Sequence, residues 1–558
     1  MIVSVVLCSV IFLGLGYFLY GKWLGKKVEL DPKRPTPAQT MADGKDFVPA
    51  SPFLLLGQHF SAIAAAGPIV GPILAGLWFG WVPALLWILL GSVFVGGPHD
   101  FLSLVASIRH KASSIGSLAK TYLSKRIERL FLIFIWFTLI YVIIAFTDIT
   151  AQSFKAVSGD MVFGPAVVFS SLLYLVLGLV LGIILRFTKI PLSLATLLFL
   201  PLVFLVIWWG TKLPPSVTEF LSKVPIKGWE AGLLFYCFIA SIIPVWLLLQ
   251  PRGYLGGWFL YCTMAVALLG ALFGGFSIQY PAFHLEGLRS ALNGKLIFPI
   301  LFITVACGAC SGFHAIVSTG TTSKQLRNEK DARPVGYGAM ILEGVVAVLA
   351  LATVMMLSPS DAILRSDPNV VYASGLARYM GLIGIHPGFA LSFALLAFST
   401  FVYDTLDVAT RLARYILQEL LGWEVTRKRA LATLITLTIP LAFLLLAKEK
   451  AYLVAWPIFG SSNQLMAGLT LLLVSVWLLR SGKNFLPAFL PMVFITFFTV
   501  WSLFLQVLPI FQFLFSTSRI PLRPDAWISG ICGAILLILA LWMIGEAIAL
   551  IRASKIKA

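Results

Sequence analysis

Residues 57–72 read GQHFSAIAAAGPIVGP. The stretch sits inside a long apolar run, yet it carries Gln58, His59, two Gly-Pro pairs and a row of small residues. A helix in hydrocarbon must satisfy its own backbone, because lipid offers no hydrogen-bond partner. Pro68 and Pro72 each remove a donor and crowd the preceding turn. Such a break is tolerated where protein buries it or where it lines a wet cavity. Many secondary transporters build substrate and ion sites from helices broken at membrane depth. The segment therefore predicts a broken membrane helix with Gly67, Pro68, Gly71 and Pro72 at its centre and Ala64 to Ala66 allowing close approach. Exposed N–H groups there would face a substrate carboxylate, and freed carbonyls a cation. The competing explanation is packing of small residues between helices; two Gly-Pro pairs exceed what packing needs.

The rest of the chain fits a polytopic all-α membrane protein. It has 558 residues, 59% apolar and 11% charged, against about 25% charged in soluble domains; mean hydropathy is +0.96. About fifteen apolar stretches reach the roughly 17–25 residues of a membrane span. They lie near 2–20, 53–78, 80–98, 130–150, 162–185, 190–209, 231–249, 254–276, 297–318, 336–357, 386–410, 430–447, 452–479, 485–508 and 527–551. The net charge of +18 reflects topology and a lipid bilayer partner rather than nucleic acid. Basic residues cluster at 22–45, 109–129, 324–333 and 411–429 and in the tail, which by the positive-inside rule places the N-terminus outside and the C-terminus in the cytoplasm. Residues 1–20 lack a basic leader and a small-residue cleavage motif, so they are expected to be an uncleaved first helix. The six cysteines fall in the expected spans, and no disulfide framework is expected.

The expected organisation has three parts. Residues 1–50 form a first helix and a Pro- and charge-rich loop, 51–420 a core, and 421–558 peripheral helices. Residues 103–129 are expected to form an amphipathic interfacial helix. Helix seven carries Ser241-Ile-Ile-Pro244-Val-Trp246, and 307–326 (CGACSGFHAIVSTGTTSKQL) is again small, polar and breakable. Paired breaks suggest two inverted five-helix repeats, here 53–209 and 231–412.

Other intramembrane polar residues are costly and point to function. His59 titrates near physiological pH and suits a proton relay beside Gln58; a hydrogen-bonded structural histidine is the alternative. His314 stands with Ser311, Ser318, Thr319 and further hydroxyls, which also fit helix back-bonding. Spacings of three and four put Asp404, Asp407, Arg411 and Arg414 on one helix face, favouring a cytoplasmic gate with coupling second. Glu343 is a further proton-carrier candidate, and His99 and Asp100 a gating pair. Trp246, Gln250 and Arg252 lie at the inner end of helix seven. Arg252 suits a carboxylate, but plain anchoring at the basic surface is favoured. His59, His99, His314, Cys307 and Cys310 lack metal-ligand spacing, so no metal is expected. No nucleophile triad, phosphate loop or nucleotide fingerprint is present, so the chain is not expected to be an enzyme.

Six motifs, GQHFSAIAAAGPIVGP (57–72), GGPHDF (96–101), IPVWLLLQPRGYL (243–255), CGACSGFHAIVSTGTTSKQL (307–326), TLDVATRLARYILQEL (405–420) and WPIFGSSNQLMAG (456–468), resemble in order those of the carbon starvation (CstA) family of bacterial inner-membrane transporters. The resemblance covers about residues 1–480. Known members are longer, and Cys310 replaces a small aliphatic residue. It implies nutrient uptake: peptides in the family, proton-coupled pyruvate import in close relatives. It also implies the leucine-transporter fold of inverted five-helix repeats. By that analogy helix nine faces the first core helix and offers oxygens to a sodium ion. The expectation is a secondary importer of a small carboxylate-bearing nutrient, a peptide or pyruvate. No cofactor beyond a coupling ion is expected, with H+ ahead of Na+. The alternative is a nutrient sensor or channel-like protein without coupled transport. Oligomeric state is left open.

Overall fold

The computed structural model describes residues 1–42, 47–64, 66–158, 161–188, 190–244, 246–284, 297–423, 428–447, 450–515 and 524–556. Twelve helices among these residues are long and apolar enough to cross a membrane. In chain order the elements used below are α1 (Ile2–Lys27), α2 (Pro52–Ile63), α3 (Gly67–Phe79), α4 (Trp81–Arg109), α5 (Ile115–Tyr122), α6 (Lys125–Ser153), α7 (Gly164–Phe187), α8 (Leu192–Gly210), α9 (Ile226–Ile242) and α10 (Leu249–Phe273). They continue as α11 (Ile297–Thr304), α12 (Gly312–Gly320), α13 (Glu329–Met355), α14 (Pro368–Gly381), α15 (Pro387–Leu420), α16 (Arg429–Leu446), α17 (Tyr452–Arg480), α18 (Leu486–Phe515) and α19 (Pro524–Ile556). A two-residue ladder pairs Val157–Ser158 with Met161–Val162.

The helix containing 57–72 is broken. α2 and α3 are bent 43° from each other, and Pro68 falls in the first turn of α3, where a missing N–H costs nothing. A second break separates α11 from α12. The two breaks touch. A Cβ on Gly67 would lie 2.4 Å from the Cys307 side chain, and one on Gly71 would lie 2.5 Å from the Thr304 carbonyl. Only glycine admits that approach.

Besides 53–78, two more of the fifteen expected stretches do not make one continuous spanning helix. The stretch 231–249 ends at Ile242, where Ile243 turns to extended backbone ahead of Pro244, which disfavours helical geometry before it. Trp246 accordingly lies in a turn, and Arg252 belongs to α10. The stretch 297–318 is split into α11 and α12. The expected interfacial helix over 103–129 is also three pieces: the end of α4, the short α5 capped by Ser114, and the start of α6.

The bundle has two unlike ends. At one, the loops after α1, α4 and α12 meet: Glu329 Oε1 accepts from Arg34 Nη1 (3.0 Å) and Arg109 Nε (2.6 Å), and Ala50 N donates to Gln325 O (2.9 Å). At the other, residues 274–284 lie across the ends of α3, α4 and α13. Gln279 N and Tyr280 N donate to Met355 O (2.8 and 3.2 Å), Val82 N to Ala282 O (3.1 Å) and His284 N to Phe79 O (3.0 Å). Gly80, with φ +89°, makes the elbow; a Cβ there would lie 2.5 Å from Ala282 O.

Candidate functional site

The segment 305–311 between α11 and α12 frees backbone groups, and neighbouring helices take them up. Gln464 Nε2 donates to Phe302 O (2.5 Å), Trp456 Nε1 to Thr304 O (3.4 Å), Trp87 Nε1 to Val305 O (3.1 Å) and Ser92 Oγ to Gly308 O (3.1 Å). At the start of α12, Asn463 Oδ1 accepts from Phe313 N (2.9 Å) and Ser311 Oγ (3.3 Å). This replaces water at a helix end buried in protein, as a broken membrane helix requires. The expected oxygen donors are thus already engaged. Ser311 serves Asn463, Ser318 donates back to Ala315 O (3.1 Å) and meets Ser103 Oγ (3.2 Å), and Thr319 donates to Ala315 O (2.7 Å).

One turn into α12, His314 joins groups from three helices. Its Nδ1 lies 2.7 Å from Asp100 Oδ2, and the other Asp100 oxygen is 2.7 Å from His99 Nδ1. An ionised carboxylate only accepts, so with Asp100 charged both imidazoles present Nδ1–H to it. His314 Nε2 faces Glu343 Oε2 of α13 at 3.2 Å, without hydrogen-bond alignment. All four side chains are sealed from solvent. His59 of α2 is likewise buried, its Nδ1 2.9 Å from Thr322 Oγ1. The Nε2 atoms of His59, His99 and His314 and both Glu343 oxygens have no hydrogen-bond partner among the described residues. The structure thus joins His99, Asp100, His314 and Glu343, which the sequence suggested singly, into one buried chain.

A second cluster holds the other charges. Arg252 is fully buried and donates to Asp404 Oδ1 through Nε (2.9 Å) and Nη2 (2.5 Å); its Nη1 lies 2.6 Å from Asp407 Oδ2. Tyr236 OH donates to Asp407 Oδ2 (2.8 Å), and Ser61 Oγ to Asp404 Oδ2 (3.1 Å). Arg252 is therefore not a surface anchor. It is the counter-ion that makes two buried carboxylates tolerable. Arg411 points elsewhere, Nη2 donating to the carbonyls of Ala240 (2.6 Å) and Ile243 (2.9 Å) at the end of α9. Sequence reasoning missed Tyr236 and Ser61, which carry no charge to mark them.

A cavity of about 930 Å³ opens below both clusters, on the end that carries Glu329. Gln58, Trp246, Thr319 and Arg411 line it, with Arg186 and Lys324. The Arg186 guanidinium stands 5.6 Å from the centre of the Trp246 ring. Among the described lining residues Glu419 is the one carboxylate against three cations, so their potential favours an anion. Gly67, Pro68, Gly71 and Pro72 are buried beside the second break rather than along this wall. Ala65 and the side chain of Gln250 lie outside the described residues. Among the described residues no three His, Cys, Asp or Glu side chains converge as a metal site.

Comparison with known proteins gives a consistent answer. A manganese transporter from Eremococcus coleocola aligns over 91% of this chain and 99% of its own at TM-score 0.44 and 14% identity, a likeness on which nothing is built. A peptide transporter CstA of Helicobacter pylori is 32% identical over 90% of this chain and 82% of its own length. That of Bacillus subtilis is 31% identical over 86% and 85%. The pyruvate/proton symporter BtsT of Escherichia coli is 29% identical over 90% and 81%. The profile of carbon starvation protein CstA matches residues 1–371 and 360–502. The relatives are transporters, not enzymes, and this chain belongs to the carbon starvation protein CstA family.

Proposed function

We propose that this chain is a proton-coupled importer of small carboxylate-bearing nutrients, short peptides or pyruvate, that works by alternating access in the bacterial inner membrane. The observation that carries this reading is the sealed chain Asp100–His314–Glu343, placed where the two helix breaks meet and above a cation-lined cavity. Titratable groups buried in a membrane are costly unless they do work. Two carboxylates and an imidazole in one dry site share protons as a coupled set, and an imidazole with two ring nitrogens is suited to relay one.

Sodium fits less well. Hard cations need free oxygens, and the carbonyls of 302, 304, 305 and 308 already accept from side chains. The cargo proposal follows the relatives, peptide transporters and a pyruvate/proton symporter, together with the positive cavity. The end bearing the basic loops is taken as cytoplasmic, with the N-terminus outside.

Packing supports an inverted repeat with a different pairing from 53–209 with 231–412. α3 packs on α13 while α12 packs on α4; α6 packs on α15 and α9 on α16; α2 packs on α10 while α11 and α12 pack on α17. The halves are then α2–α3, α4, α6, α9, α10 and α11–α12, α13, α15, α16, α17. α7 and α8 are an insertion in the first half, and the short α5 and α14 occupy matching places.

The test is uptake into proteoliposomes of labelled pyruvate or a dipeptide under an imposed proton or sodium gradient. Accumulation driven by the proton gradient and lost in His314→Gln is the expected result. No accumulation of either solute under any gradient, by protein shown to be folded, would instead support a channel or sensor.

A further inference from the structure

A second cleft, of about 400 Å³, opens at the Glu329 end of the bundle, between the loop after α1, the end of α4 and the end of α17. Arg34, Arg109, Lys111, Thr40, Trp477 and Ser481 line it. We infer that it binds a phosphate group, and that its occupant is the headgroup of an anionic phospholipid.

The cleft is built, not merely basic. Arg109 is held rigid: Nε donates to Glu329 Oε1 (2.6 Å), Nη2 donates to the carbonyls of Val28 (2.9 Å) and Glu29 (3.1 Å), and its guanidinium lies 6.0 Å from the centre of the Trp477 ring. Arg34 gives only Nη1 to the same carboxylate (3.0 Å). Glu329 is 1% exposed and balances one of the three cations, so two positive charges are left facing the cleft. Ser481 adds a hydroxyl to the lining, while the Thr40 hydroxyl donates to Thr36 O (3.3 Å). Guanidinium, ammonium and hydroxyl donors around one small space suit tetrahedral phosphate oxygens.

The backbone carries a second mark. Five non-glycine residues among those described have positive φ; Lys111 (58°) lines this cleft, Ala112 (55°) follows it, and Glu29 (55°) presents the carbonyl that accepts from Arg109. Left-handed conformations are unfavourable for side chains of these types, and such strain gathers at ligand sites. A plain turn at Lys111 would be better served by glycine. The lysine spends that advantage to put an ammonium into the cleft.

Position selects the lipid over a soluble anion. The cleft lies where spans end, the depth of headgroups, and a tryptophan lines it as at membrane interfaces. Leu479 and Leu486, flanking Ser481, are each 47% exposed and give acyl chains an apolar surface. Basic pockets between helix ends on the cytoplasmic side are suited to anionic headgroups.

The experiment uses the full-length protein in detergent and measures binding of phosphatidylglycerol and phosphatidylcholine by native mass spectrometry. Phosphatidylglycerol is expected to bind at least tenfold more tightly. Lys111→Gln should weaken it about fivefold, the effect of one lysine near an anionic surface, and leave phosphatidylcholine unchanged. Lys111→Gly should lose the same preference while raising the thermal midpoint through relief of strain, which separates a lost ligand from a damaged fold. Inorganic phosphate that fails to compete assigns the site to lipid; phosphate that displaces phosphatidylglycerol assigns it to a soluble phosphate. Equal binding of the two lipids, or a preference untouched by Lys111→Gln, overturns the proposal.

Discussion

The two buried ionic clusters are built from similar residues and differ in what they can do. Around Asp404 and Asp407 the cation is an arginine, which does not give up its proton in a protein; tyrosine and serine hydroxyls donate to one oxygen of each carboxylate, and Asp407 Oδ1 is left without a hydrogen bond among the described residues. Around Asp100 and Glu343 the partner is a histidine, and several polar atoms are left without a hydrogen bond. The first cluster is a tether that joins α2, α9, α10 and α15. The second is, in the mechanism proposed above, where the proton is gained and lost. Burial alone does not separate a tether from a coupler; the titratability of the cation does.

The largest effect expected is structural. Arg252→Ala leaves two buried carboxylates uncompensated and should destabilise the protein by about 3–5 kcal/mol, read as lost monodisperse yield and a lowered thermal midpoint. Glu343→Gln should abolish proton-driven accumulation while changing stability by no more than about 1 kcal/mol, since its oxygens make no hydrogen bond. If both variants fail in the same way, the distinction between tether and coupler is lost. Thr322→Val removes the partner of His59 Nδ1 and should cost about 1–3 kcal/mol, the desolvation penalty of a stranded polar atom. It should also move the pH dependence of solute exchange, whereas Ser61→Ala should leave that pH profile in place. Ser61→Ala has the smallest effect, about 0.5–1.5 kcal/mol, because Arg252 still holds Asp404.

Much of this was legible in the chain. Gly67-Pro68 announced a break because it violates helix chemistry locally; Gly71 and Pro72, expected at the centre of the same break, lie instead inside α3. His314, Asp100 and Glu343 stood out because each is polar inside an apolar run. Their meeting was not legible: His314 and Asp100 are 214 positions apart, and hydropathy does not say which helices pack together. The second break was placed only loosely for the same reason. Residues 305–311 contain no proline; the break is stabilised by Trp87, Asn463 and Gln464, far away in sequence. Arg252 was misjudged because its distance from the expected basic surface was counted along one helix. The chain instead turns at Trp246, and Arg252 lies on α10, facing α15.

The contacts at the two ends of the bundle respond unequally to ionic strength. Arg34, 45% exposed, pairs with Glu329 at the end that carries the cavity, so salt weakens that attraction within a screening length of about 8–10 Å. At the opposite end backbone hydrogen bonds join residues 274–284 to Phe79, Val82 and Met355, and beside them the partly exposed pairs Arg378–Asp361 and Lys450–Asp367 are open to the same screening. Added electrolyte therefore weakens the exposed ion pairs at both ends, while the backbone hydrogen bonds that hold residues 274–284 across α3, α4 and α13 carry no net charge and outlast the charged contacts around them.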